Sequence, residues 1–355
     1  MIIFYFLIVV AALIGIKYRK SQKEKDTYFS KESTNAIKGI FILMVFLRHA
    51  NQYVSKSEYE YAMIWDKMFS LIDALLDQLI VVMFLFISGY GVMSSIKKKG
   101  NVYIKSIAKH RVLNTLLNFD VAVFFFFILA LITGRPFTCR QAFLSLLAWE
   151  SLGNSTWYIF VIIACYFSTF MSFLIVERGV EHKRYMGGMI INIVILLTIG
   201  FLLDKAGKVW YDTMVSYPIG MLFAIYKDKI DTFVMLKWTY STCLIVCMFL
   251  FVLSYVYPFF LNHQSVTWGG GGCFWWNVRI VSMIGLTVLL MMKIKIGNLF
   301  LVWLGINLFP LYIYQRIPLI IISTYFTYNP YILFSVGFML TCAIIPAYKK
   351  IQIKL

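Results

Sequence analysis

Apolar residues run along this chain in blocks of about twenty, too long for a half-buried strand and too uniformly apolar for an amphipathic surface helix. The blocks fall at about 1–16, 36–54, 68–95, 112–133, 156–176, 187–203, 213–226, 238–260, 276–292, 299–322 and 330–347. Most are long enough to cross a bilayer as helices. The pattern therefore predicts an all-α, polytopic transmembrane helical bundle of about 11 spans. The polar stretches between the blocks are short and leave no room for a soluble domain. Residues 1–355 are expected to form a single membrane domain, with an extra N-terminal span and linker in 1–34 ahead of a core at 35–347.

Charge refines this picture. The chain holds 33 Lys and Arg against 16 Asp and Glu, a formal charge of +17, while charged residues make up only 14% of it. In a soluble chain such an excess would suggest a nucleic-acid partner. Here the cations sort by loop: 23 lie in the set containing 17–34 and 96–111, 6 lie in the alternate set, and Lys38, Arg48, Arg279 and Arg316 fall inside spans. The positive-inside rule then places the basic loops in the cytosol, the N-terminus outside and the C-terminus in the cytoplasm. The basic excess is read as a topology signal that also meets anionic lipid headgroups, and no nucleic acid is expected. The opening segment "MIIFYFLIVVAALIGI" carries its charges after the apolar run, so it reads as a retained anchor. Six cysteines without CxxC spacing and four scattered histidines indicate no metal site.

Two loops on the outer side stand apart. Gly134 to Thr156 contains a short apolar piece expected to lie along the membrane surface or to re-enter it. Asn262 to Asn277 is rich in Gly and Trp and reads as a flexible loop, since no strand precedes its glycines and no Lys-Ser/Thr follows them. Its tryptophans suit an interfacial belt or a platform for sugar rings.

The candidate chemistry lies in "IKGIFILMVFLRHANQ", Ile37 to Gln52. Lys38 and His49 are eleven residues apart, which returns them to within about 20° of one helix face, about 16 Å apart along the axis. A lysine at a helix end often only snorkels to the headgroups. A histidine deep in a span is a candidate functional group, and its ordinary pKa suits proton removal and return near neutral pH. A structural histidine hydrogen-bonded to a neighbouring helix is the alternative. Arg48 projects about 100° away from His49. Asp73 and Asp77, on one face of the third span, suit either an acceptor site or ion pairs with Arg279 or Arg316, and the cost of unpaired charge in a membrane favours the pairs.

"NAIKGIFILMVFLRHAN" resembles the opening membrane motif of the acyltransferase family 3 integral membrane proteins, in which Arg or Lys is followed after ten residues by His; Lys38 and His49 fit that spacing. "FLFISGYGVMSS", the basic loop after it, "STWYIFVIIACYF", "YPIGMLFA" and "LGINLFPLYIYQRIPL" resemble later elements of the family in order, over roughly Asn35 to Ala347. The chain departs from the family where Asn114 replaces the second arginine of a cytoplasmic RxxR motif that begins at Arg111, and where no glutamate follows Trp157.

The resemblance implies a polysaccharide O-acetyltransferase-like enzyme of the cell membrane. Such an enzyme moves an acetyl group from acetyl-CoA, as co-substrate, to a hydroxyl of a cell-surface polysaccharide or lipid-linked sugar precursor. His49 is then the expected general base, because a hydroxyl attacks a thioester only as its proton is removed. Lys38, Arg111, Lys109 and Lys105 are the candidates for holding the donor's phosphates, although the basic loop also suits topology alone. Arg48, Ser88, Trp157, Tyr158 and Gln315 are candidates for lining the acceptor cavity. A transporter or flippase of lipid-linked saccharides is the alternative, using the same intramembrane charges as a transport path.

Overall fold

The computed structural model describes residues 1–19, 27–56, 59–61, 63–176, 181–260, 271–326 and 329–355, and they are nearly all helical. Among them, seven helices are long and apolar enough to cross a membrane, or eight if the bent pair Leu299–Ile306 and Leu308–Tyr325 is one span.

Several expected spans differ from the observed helices, each for a physical reason. The first block is the helix α1, Ile3–Leu13, whose 11 residues rise only about 16 Å, about half a hydrocarbon core. The block at 36–54 lies in α2, Lys31–Val54, which carries too many polar groups to pass as a lipid-facing span. These groups are sheltered instead by protein, and more than half of α2 is buried. The block at 68–95 is divided between α3, Ile64–Leu76, and α4, Leu79–Lys99. The break is at Asp77, whose φ of 36° is incompatible with helix. The block at 299–322 is α13, Leu299–Ile306, α14, Leu308–Tyr314, and α15, Arg316–Tyr325, with a bend of 69° after α13. Of the Gly- and Trp-rich stretch read as a loop, 261–270 lies outside the described residues. From Gly271 the chain is already helix, so Cys273 to Asn277 belong to a helical turn.

The chain divides into two compact units. Met1–Ile80, Asn114–Phe160 and Lys293–Leu355 form the first. In it α2 is the central element. Ser30 caps it, accepting from the Ser33 amide at 3.3 Å, and α2 crosses α13 at backbone contact. A Cβ on Gly39 would stand 2.0 Å from the Leu301 carbonyl oxygen, and one on Gly305 would stand 1.9 Å from that of Asn35. Only glycine on both helices permits this approach. The hydrophobic core around the far end of α2 joins Tyr5 and Ile8 of α1 to Phe46, Ala50, Phe69, Leu319 and Phe334. A two-residue antiparallel pairing, Lys17 with Lys295 and Tyr18 with Ile294, fastens the segment after α1.

Val81–Leu113 and Val161–Met292 form the second unit. Its main crossing repeats the device. A Cβ on Gly89 of α4 would meet the Tyr217 carbonyl oxygen at 2.1 Å, and one on Gly220 would meet that of Phe86 at 2.0 Å.

Candidate active site

His49 sits in the first unit and is 6% exposed. Two irregular segments bring polar partners to it. One is the stretch before Trp157. Helix α7, Cys139–Leu146, is capped by Thr138, and the chain then turns at Ala148 and Gly153, whose φ values are 55° and 109°. Within the turn Ser151 Oγ donates to the Asn154 carbonyl at 2.6 Å, and Asn154 Oδ1 accepts from the Leu152 amide at 3.0 Å. Leu152, Asn154, Ser155 and Thr156 are all buried. Non-helical backbone is tolerated at membrane depth only when protein covers it or it lines a cavity. Ser155 Oγ lies 3.4 Å from His49 Nε2.

The other segment is the junction of α14 and α15 at Gln315. Arg316 donates through Nε to Ser155 Oγ at 2.7 Å and through Nη2 to Gln52 Oε1 at 2.5 Å. The Gln315 amide lies beside His49 and donates through Nε2 to the Tyr312 carbonyl at 3.0 Å. The Tyr312 hydroxyl lies beside Ser155, and its ring is 6.0 Å from the imidazole. Three polar atoms of this cluster, His49 Nδ1, Gln315 Oε1 and the Tyr312 hydroxyl, are buried with no hydrogen bond closed. Buried polar atoms are nearly always satisfied, and here His49 Nδ1 and Gln315 Oε1 stand beside one another as a matching donor and acceptor, while the Tyr312 hydroxyl stands beside Ser155.

Arg48 is engaged elsewhere. It donates through Nη1 to Asp73 Oδ2 at 3.0 Å and through Nη2 to Asp77 Oδ1 at 2.5 Å. Asn51 adds a hydrogen bond to Asp73 at 2.8 Å, and Tyr61 donates to Asn51. The two aspartates are thus paired, as expected, but with Arg48 and not with Arg279 or Arg316. One turn of geometry explains this: the 100° that turns Arg48 away from His49 points it at α3. Arg279 instead stacks on the Tyr255 ring at 3.5 Å and donates to the Ser254 carbonyl at 2.8 Å.

Of the remaining expected residues in the first unit, Gln315 is 1% exposed and directly in the cluster. Tyr158 packs its ring 4.9 Å from that of Tyr312, and Trp157 follows at 6.2 Å from Tyr158. Lys38 is partly exposed on α2. Lys105, Lys109, Arg111 and Ser88 belong to the second unit, where Lys105 lies on the helix α5, Asn101–Ile107, and Lys109 and Arg111 on the π-helical turn Ala108–Leu113 that follows it. Such turns are rare and are frequent at functional sites. Lys105 and Lys109 are exposed. Arg111 donates through Nε to the Tyr103 hydroxyl at 3.3 Å and lies 5.7 Å from the centre of the Tyr166 ring. The Tyr166 hydroxyl shares a 2.7 Å hydrogen bond with Ser88. Among the described residues no group of three His, Cys, Asp or Glu is placed to hold a metal, and all six cysteines are free thiols.

A family model described as an acyltransferase domain, that of acyltransferase family 3, matches residues 32–348. The chain belongs to that family. No curated protein and no solved structure matches it. Membership and the apolar helices together make it a multi-pass membrane protein with acyltransferase character.

Sequence reasoning did not foresee two partners of His49, Ser155 and Tyr312, nor the turn of Arg316 toward them. The signals were present but easily read otherwise. Asn154-Ser155-Thr156 before an apolar run looks like an ordinary helix start. The pair Gln315-Arg316 followed by Pro318 sat inside an apolar block, where only the proline hinted at a break.

Proposed function

We propose that this acyltransferase moves an acetyl group from acetyl-CoA to a hydroxyl of a cell-surface polysaccharide or lipid-linked saccharide, with His49 as the general base. The observation that carries the reading is the buried imidazole with Ser155, Arg316, Gln315 and Tyr312 gathered around it. Its partners supply what acyl transfer needs: a base, a fixed cation in Arg316 for developing negative charge, and hydroxyl donors in Ser155 and Tyr312. The donor's phosphates are assigned to Lys105, Lys109 and Arg111 of the second unit, and Lys38 of the first unit is a separate candidate for the same donor. Cationic side chains of this kind bind phosphate through charge-assisted hydrogen bonds. The basic loops are assigned to the cytosol, where the coenzyme is, and the C-terminus with them.

The test is purified protein in detergent or nanodiscs, given acetyl-CoA labelled in the acetyl group and a polysaccharide or lipid-linked saccharide. Label appearing in the saccharide, with release of free coenzyme A thiol, supports the reading. The bend of 69° in the helix pair beginning at Leu299 favours the transporter alternative, since broken helices often line transport paths. Saccharide crossing a proteoliposome membrane unmodified, with the thioester left intact, would establish that alternative instead.

A further inference from the structure

We propose that Ser155 is an acyl-carrying nucleophile, so that the acyl group rests on this serine between donor and acceptor. The proposal builds on the acyltransferase reading above and specifies its chemistry. Buried serines within helices, such as Ser172, Ser282 and Ser323, return their hydroxyls to carbonyls three or four residues earlier. Ser155 differs. It lies outside any helix, it is 5% exposed, and its hydroxyl oxygen meets two ionisable side chains, His49 Nε2 at 3.4 Å and Arg316 Nε at 2.7 Å.

The arrangement has the parts of an activated nucleophile: a hydroxyl, a base within reach, and a third group that orients the base. Arginine has no acceptor, so its N–H fills a lone pair of the serine oxygen. The serine proton is then directed to His49 Nε2, which places the imidazole's own hydrogen on Nδ1. Gln315 Oε1, an open acceptor beside the ring, suits that hydrogen. Arg316 favours the oxygen as it becomes anionic, and the Tyr312 hydroxyl, buried with no hydrogen bond closed beside Ser155, can donate to the oxyanion of a tetrahedral intermediate.

The steps balance. Ser155 Oγ attacks the carbonyl carbon of an acyl thioester while its proton passes to His49 Nε2. The carbon–sulfur bond breaks, the departing thiolate takes that proton, and an acyl ester remains on Ser155. An alcohol of the acceptor then gives its proton to His49 and attacks the ester. The bond to Ser155 Oγ breaks, and the serine oxygen recovers the proton from the imidazolium. No oxidant or further reactant is needed.

The test uses the full chain with acetyl-CoA and no acceptor, quenched and digested for mass spectrometry. Wild type is expected to carry one acetyl group on the peptide containing Ser155, with a burst of about one free thiol per protein. The label should leave when saccharide is added. Ser155→Ala and His49→Ala should carry none, with transfer down by about a thousandfold or more. Ser155→Cys controls for folding, because it keeps a nucleophile of similar size and should trap a thioester that hydroxylamine removes. The proposal is overturned if Ser155→Ala keeps transfer near wild type, or if the acetyl group is found on His49. Thioester left unconsumed by the wild type in the presence of saccharide overturns the acyltransferase reading along with it. Consumption and transfer without a Ser155 adduct overturn the serine step alone.

Discussion

At the scale of single residues, α2 separates two adjacent ionisable groups into different tasks. Arg48 is structural. It holds Asp73, whose side chain is 7% exposed, and Asp77, which is 42% exposed and sits in the strained backbone break between α3 and α4. Replacing it by Arg48→Gln strands the buried Asp73, and a loss of about 3 kcal/mol is expected, near the lower end for breaking a buried pair because Arg48 itself is a quarter exposed. The thermal midpoint of the purified protein measures this, and an unchanged midpoint would contradict the assignment. His49 is chemical. His49→Ala should lower acyl transfer by about a thousandfold or more, within the usual worth of a general base, while membrane insertion and elution as a folded species are retained. Full transfer by that variant would remove the base assignment. The Lys38 and His49 spacing made this histidine legible in the sequence. Ser155 was not legible, because 106 residues separate it from His49 and only the turn through Gly153 brings it back.

At the scale of elements, four of the short apolar motifs that resemble the family turn out to hold crossing points. Gly39 and Gly305 belong to the first and last of them, and Gly89 and Gly220 to two of the middle ones. Each pair lets two helices meet backbone to backbone. A methyl group at these positions has nowhere to go, so Gly39→Ala or Gly89→Ala should cost about 1–3 kcal/mol or more, as overpacking does. Gly91→Ala is the control. No atom stands within 4 Å of its Cβ position, and a helical alanine there should be neutral or slightly stabilising. Thermal melts of the three variants in one detergent would separate crossing glycines from incidental ones. The sequence marks these positions only as small residues inside apolar runs. Which glycine is crossed, and by what, depends on a partner helix far along the chain.

At the scale of the whole molecule, the distribution of cations carries both topology and the proposed use of coenzyme. A Lys98→Cys substitution at the end of α4 should gain label from an impermeant maleimide, over a parent chain carrying Cys139→Ser, only after cells are opened. Labelling of intact cells would reverse the proposed orientation. Neutralising Lys105, Lys109 and Arg111 together is expected to raise the KM for acetyl-CoA by about tenfold per lost phosphate contact, since about 1.4 kcal/mol is a factor of ten in affinity. It should leave kcat, and use of an acyl-pantetheine lacking the nucleotide phosphates, nearly unchanged. Hydropathy alone determined that this chain is helical and rich in segments apolar enough to cross a membrane, because these properties follow from the solvent each segment can tolerate. The sequence also singled out His49, since an ionisable group in an apolar run is costly enough to stand out. The tertiary structure alone decided that Arg48 pairs with Asp73 and Asp77, that apolar blocks break at Asp77, Asn307 and Gln315, and that Ser155, Tyr312 and Arg316 gather at the imidazole. Each of these is a choice between partners distant in sequence, made by packing and hydrogen-bond satisfaction, and no local pattern records it.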